Sequence, residues 1–358
     1  AAAMAHTEEL QAALFEEIRG RIKEDDSSVP YKDGDYFYYT RYEEGMEYPI
    51  HARKAGSLDA PEEVMLDANA MAEGHDYFAI GGRQVTQDGR ILAYGVDLQG
   101  RRFYTVRFKD LTTGETLSDQ IPDVTGNMAW ANDNRTLFYV KQDPETLRSY
   151  QVFRHVLGTD PATDELVFQE DDTEFSVYMG RFKSDEYLFV ASTQTLSTEV
   201  RVLDADEPTG EFSVVLPREP EHEYSVDHFG DHFYIRTNDQ AKNFRLVRAP
   251  VGDASRANWE EVVAHRDDVL LEGFDLFRDH LVLSERSDGL TQVRIMRWDG
   301  SDDHYLDFGE PAYVAYPQVN VDMESGVLRY GYSSLTTPSS VFDYDMNTRE
   351  ATLLKQDE

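Results

Sequence analysis

The 358-residue chain has no cysteine, which excludes disulfide frameworks, thiolate zinc sites and cysteine nucleophiles. The same absence gives mild support to a cytoplasmic location. No stretch approaches the ~18 consecutive apolar residues of a membrane span, and Ala1 to Ala5 is too short and uncharged for a signal peptide. Ala1 to His6 is expected to be a cloning remnant. Cations are scarce too: 34 Lys+Arg stand against 69 Asp+Glu, a formal net charge of −35 at pH 7. Neutralising phosphates needs clustered cations, so nucleic acid is excluded as a partner. Lysine is the rarer cation, with eight copies and the remainder arginine, and an acidic, lysine-poor surface suggests a high-salt or marine source. What is present is apolar enough to fold: 40% hydrophobic and 12% aromatic residues can build a large core, so the charge does not signal disorder.

Leu10, Leu14, Ile18 and Ile22 recur at helical spacing behind Thr7-Glu8-Glu9, which predicts one capped amphipathic helix. The acidic and serine run 24–28 and Pro30 end it, and almost nothing helical is expected beyond. Residues 1–30 are thus read as a remnant plus helix, and residues 31–358 as a separate domain.

From Asp35 onward the pattern changes to short runs rich in Tyr, Phe, Val and Ile with period-two alternation, separated by Gly, Asp, Asn and Pro turns. One unit reads 90–94, then 103–108, then the turn 110–115, Asp-Leu-Thr-Thr-Gly-Glu. The same order returns at 136–140 with 151–156, 187–190 with 199–203, 232–235 with 244–247, 280–283 with 292–295, and 327–330 with 340–344. A degenerate first copy covers 36–39, 48–51 and 63–66. Seven units of ~40–50 residues predict an all-β fold, a seven-bladed β-propeller of four-stranded antiparallel blades. A two-sheet sandwich competes but does not explain the recurring strand and turn order.

The residues offer no catalytic site. Gly331-Tyr-Ser-Ser-Leu335 begins like a nucleophile elbow, but Leu335 replaces its closing glycine, so Ser333 and Ser334 read as a polar strand-turn. His228 and His232, with Asp227 and Asp231, straddle a Gly230-Asp231 turn and read as solvated rather than metal-binding. The acidic run 170–174 lacks the spacing of a calcium loop. Asn134-Arg-Thr136 is a glycosylation motif of high chance frequency. Gly81-Gly82 reads as a turn, and no cofactor or metal is expected.

Many spaced segments nevertheless carry a resemblance: the opening helix running into 34–39, then 47–53, 66–69, 130–133, 152–159, 221–225, 271–274 and 329–338. Together they resemble oligopeptidase B, the Arg/Lys-directed branch of the prolyl oligopeptidase family of serine peptidases. The resemblance implies a propeller that screens an α/β-hydrolase domain, admits short basic peptides and holds none of the Ser, Asp and His of the triad, the chain stopping where that domain would begin. It implies the catalytic domain as partner, with inter-domain contacts at Glu170, which resembles a position pairing with an arginine of that domain, and at the stretch from Arg148 to Arg154. It further implies that the propeller without its partner has a mobile helix or self-associates through the exposed stripe. A free-standing propeller acting as a protein- or peptide-binding adaptor is the alternative.

Overall fold

A computed structural model describes residues 2–357. They form two compact units, one of residues up to Tyr31 with Tyr36–Gly74, the other of Lys32–Asp35 with the residues from His75 onward.

In the first unit, a 3-10 turn, Ala2–Thr7, leads into α1, Glu8–Arg19. The expected cap at Thr7 is not made: its hydroxyl donates to the Met4 carbonyl and accepts from Gln11 Nε2, because the preceding 3-10 turn already claims it. The helix also ends earlier than the stripe suggests. At Gly20 the bonds tighten to Arg21 N on Ile18 O and Ile22 N on Arg19 O. Leu10, Leu14, Phe15, Ile18 and Ile22 all stay exposed, and α1 buries no residue. A four-stranded sheet follows, with β1 Tyr31–Asp33, of which Lys32 and Asp33 are counted with the second unit, β2 Tyr36–Arg41, β3 Ile50–Ala55 and β4 Glu62–Asp67 in that order. A second short helix, α2 Ala68–Ala72, was not expected; Asp67 caps it by accepting from the Asn69 and Ala70 amides at 3.0 and 3.2 Å.

The second unit continues with a seven-stranded sheet of β5 Ala79–Val85, β6 Ile91–Asp97, β7 Tyr104–Asp110, β8 Thr116–Trp130, β9 Thr136–Gln142, β10 Ser149–Val156 and β11 Glu165–Gln169. Four four-stranded sheets come next. The first holds β12 Ser176–Arg181, β13 Tyr187–Gln194, β14 Ser197–Asp204 and β15 Ser213–Leu216, and the second β16 Tyr224–Phe229, β17 His232–Thr237, β18 Arg245–Pro250 and β19 Glu260–Val263. The third holds β20 Leu270–Leu276, β21 His280–Ser287, β22 Leu290–Arg297 and β23 His304–Tyr305, and the last β24 Tyr313–Pro317, β25 Val327–Ser334, β26 Ser340–Asp345 and β27 Ala351–Gln356. The chain is an all-β propeller, but the expectation of seven four-stranded blades is corrected: five sheets are four-stranded, and Ala79–Gln169 makes one seven-stranded sheet. The reason is β8, fifteen residues long, whose first half pairs with β7 and whose last residues pair with β9, so two sequence repeats share one hydrogen-bonded ladder.

The strand pairs read from the repeats are the middle hairpins, and they form because alternate side chains enter different interfaces. On β13, Leu188 and Val190 face Phe138, Val140 and Val152 of the preceding sheet. Phe189 and Ala191 face Phe233, Ile235 and Val247 of the following one. The same stacking joins Tyr234 and Leu246 to Leu271 and Leu281, then Val282 and Ile295 to Leu328 and Tyr330. Each fully buried aliphatic or aromatic side chain contributes roughly 1.5–3 kcal/mol.

The recurring turns have a carboxylate reason. Asp110 Oδ1 accepts from the Thr112 and Thr113 amides, Asp143 from Glu145 and Thr146, and Asp345 from Asn347 and Thr348. Gly81-Gly82 is not a turn, however. Both lie on β5 at a register shift, and Gly82 (φ +38°) comes so close to Gly126 that a Cβ there would sit 1.8 Å from the Gly126 carbonyl oxygen. Phe138→Ala, at a fully buried position, is expected to destabilise the protein by about 3–5 kcal/mol, read as a lower urea midpoint at unchanged slope.

Candidate functional site

In an antiparallel four-stranded sheet, the turn between strands two and three and the exit of strand four open at one end. In the second unit this end carries the sheet-to-sheet connections. Arg148, in the β9–β10 turn, donates to the carbonyls of Glu170, Asp172 and Phe175 at 3.4, 3.3 and 2.9 Å, pinning the β11–β12 connection. Glu170 is buried, and its carboxylate accepts from Arg218, in the β15–β16 connection, and from the Asp172 amide at 3.0 Å. Arg218 also reaches Glu199 Oε1 at 3.3 Å and lies 4.1 Å over the Phe175 ring. Burial by itself would raise the Glu170 carboxyl, but hydrogen bonds from Arg218, Ser192 and the Asp172 amide hold it below the ordinary carboxylate range.

The opposite end is acid-rich along the first strands of the sheets. Lys183, just after β12, donates to Asp275 Oδ1 on β20 at 2.8 Å and sits 3.5 Å over the Phe277 ring. Asp227 on β16 accepts from the His228 amide at 2.8 Å. Burial, with the Asp275 charge beside it, pushes the Asp227 carboxyl up to about 7 against the pull of Lys183 and the amides. Burial likewise raises Asp275 and lowers Lys183, so desolvation outweighs their mutual attraction. Asp322 bears on Lys183 and lies 3.9 Å from Lys32, while Asp185 pairs with Arg181 at 2.8 Å and bears on Asp33. Five carboxylates thus gather around three cations, an arrangement that attracts positive charge.

The sequence matches the profile of the prolyl oligopeptidase N-terminal beta-propeller domain over residues 1–357. The chain belongs to this family. It is similar to dipeptidyl aminopeptidase BI of Pseudoxanthomonas mexicana (43% identity, 99% of this chain and 51% of the relative) and to protease 2 of Moraxella lacunata (34%, 96% and 50%). Its structure resembles oligopeptidase B from Leishmania major, with a TM-score of 0.92 at 31% identity, covering 100% of this chain and 52% of that one. The chain therefore spans about half the length of the curated relatives it matches, and it is the propeller portion of a prolyl oligopeptidase-family peptidase.

Of the residues singled out from sequence, the propeller brings Arg148 and Glu170 together and keeps Arg154 apart. Arg154 lies toward the other end of β10, donating to the Pro208 carbonyl at 2.7 Å and pairing with Glu165. Ser333 and Ser334 close β25, where the Ser334 hydroxyl oxygen accepts from the Thr336 and Thr337 amides. His228 is buried on β16 with Nδ1 2.9 Å from Ser184 Oγ, and His232 starts β17. Among the described residues no cluster of three His, Cys, Asp or Glu is arranged to hold a metal, and no helix is long and apolar enough to cross a membrane. Sequence reasoning missed Arg218 and the group of Lys183, Asp227 and Asp275. Their partners lie on different sheets, and no local spacing marks them.

Two outcomes test this electrostatic frame. Arg218→Leu leaves the Glu170 carboxylate without its cation and is expected to cost about 2–3 kcal/mol in urea unfolding, less than a fully buried pair because the guanidinium is partly exposed. Asp227 binds its proton more tightly folded than unfolded, so its contribution favours folding below the unfolded value near 3.8 and is lost as pH rises toward 7. Asp227→Asn should therefore flatten the fall in Tm between pH 4 and pH 7.

Proposed function

We propose that this propeller is the non-catalytic substrate filter of a serine oligopeptidase that cleaves short peptides after Arg or Lys. The observation that carries the reading is the family match over residues 1–357 in a chain that covers about half of peptidase relatives twice its length. The acyl-transfer chemistry, a serine activated through histidine and aspartate, belongs in this reading to the other half. The propeller contributes exclusion and charge. Stacked sheets held by apolar interfaces present a rigid wall that folded proteins do not pass, and the carboxylates around Lys183 raise the local concentration of basic peptides. Glu170 and Arg148, at the end where the connections lie, contribute to the contact with the catalytic half.

The test uses the full-length polypeptide. Short Arg- and Lys-reporter peptides are expected to be cleaved, while a folded protein carrying the same sites stays intact; the 358-residue chain alone should neither cleave nor label with a serine-directed phosphonate. Peptides blocked at the amino terminus separate internal cleavage from the dipeptide release that the name of the 43%-identical relative describes. A stop codon directly after Glu358 overturns the reading in favour of a binding adaptor.

A further inference from the structure

Arginines at the connecting end of the second unit are mostly spent on carboxylates: Arg218 meets Glu170, Arg266 meets Glu285 and Arg286 meets Glu272. Arg236 departs from this pattern. It is the penultimate residue of β17, half-buried, on the strand face that Tyr234 packs toward the next sheet. Its Nε donates to the Leu271 carbonyl on β20 at 2.6 Å, and its guanidinium carbon lies 3.5 Å from the centre of the Phe244 ring. Among the described residues no carboxylate stands within ion-pair distance of it: Glu272 is taken by Arg286, and Glu223 acts from further off. Burial outweighs these distant charges and pulls the guanidinium down to about 10. In a chain with 69 Asp+Glu for 34 Lys+Arg, a desolvated cation is thus left without the counter-charge that an anionic ligand would supply.

The cation is also firmly placed. Phe244 has φ +63°, in the left-handed region that bulky side chains rarely adopt, and its amide donates to the Ala241 carbonyl at 2.8 Å. Leu271 sits at a register shift of β20 and donates its own amide to the Asn243 carbonyl at 3.0 Å, so the β17–β18 turn and β20 fix both supports of the guanidinium. With Nε on a carbonyl and one face on an aromatic ring, the Nη1 and Nη2 end is what Arg236 has left to present. Two parallel N–H groups on a planar fork match the two oxygens of a carboxylate. A phosphate would bring more negative charge toward Glu223 and Glu272, so the single charge of a carboxylate is the better match. We propose that Arg236 binds the free α-carboxylate of a short peptide, on the side that leaves after cleavage. A fixed cation is reached by that carboxylate only when few residues follow the cleaved bond, so short peptides are selected by attraction as well as by exclusion of large ones. The proposal rests on the preceding reading of the propeller as a peptide filter, and adds which end of the peptide it recognises.

The test compares acetyl-Ala-Arg-Ala-Ala bearing a free carboxyl with the same peptide as its carboxamide. Both are titrated into the 358-residue chain by calorimetry and assayed for cleavage by the full-length polypeptide. The acid is expected to bind, and to show a kcat/KM, about tenfold better than the amide, the size of one charge-assisted hydrogen-bonded pair. Arg236→Gln should bring that ratio to about one while leaving the constants for the amide unchanged. Arg236→Lys, which keeps the charge over the Phe244 ring but loses the fork, should cut the ratio at least threefold, and it supplies the answer where the glutamine variant does not fold. A ratio near one in the unsubstituted protein, a ratio that survives both substitutions, or a loss equal for acid and amide overturns the proposal. Selectivity in the 358-residue chain that vanishes in the full-length polypeptide gives Arg236 to a carboxylate of the other half and overturns it too. Cleavage after Arg without acid selectivity defeats the role of Arg236 alone, and acid-selective binding without cleavage defeats the filter reading alone.

Discussion

The burial of both faces of the middle strands is the constraint from which the rest of this molecule follows. Leu188 and Val190 on one side of β13, with Phe189 and Ala191 on the other, commit a single strand to two interfaces at once. A sheet so built must be flanked on both sides, and its neighbours are under the same demand, so sheets add in series. The seven-stranded sheet obeys the same rule by folding on itself, with Ala93, Val106 and Phe108 packed against Met128, Leu137 and Tyr139. The close approach of Gly82 and Gly126 is where that fold brings backbone against backbone.

With the faces consumed by apolar packing, polar chemistry is confined to the strand ends, and the two ends differ. At the connecting end, cations are spent on carbonyls and buried carboxylates, as with Arg148 on three backbone oxygens and Arg218 between Glu170 and Glu199. Each such pair holds a connection without leaving a charge unpaired in the interior. At the other end, burial dominates: Asp227, Asp275 and Asp33 are all raised and Lys183 is lowered, so these groups share too little water and too few counter-charges to ionise freely. One end is built for fixed geometry; the other gathers buried carboxyls whose ionisation an added counter-charge would favour.

This division bears on the proposed filter role, in which the propeller supplies a rigid boundary, a field and a surface for a partner. The turn carboxylates serve the same rigidity, because Asp110, Asp143 and Asp345 fasten their turns through amides that would otherwise face water. Part of the large acidic excess is structural bookkeeping of the backbone rather than ligand recognition.

The sequence by itself determined the all-β class, the middle hairpins, the recurring turns, the apolar stripe of α1 and the family, because each rests on local periodicity or on ordered segments that survive without knowledge of neighbours. It could not reveal that β8 would run unbroken through two repeats, since the same alternation serves a strand that ends and one that continues. It misread Gly81-Gly82, because a bulge and a turn demand the same residue. It placed Arg148 and Glu170 near one another in the chain but not Arg218, which is 48 residues from Glu170 and joins it across two connections. The grouping of Lys183, Asp227 and Asp275 also belongs to tertiary structure alone. Their charges matter only because stacking brings the first strands of three sheets together and takes water away, and neither proximity nor desolvation is written in the order of the residues.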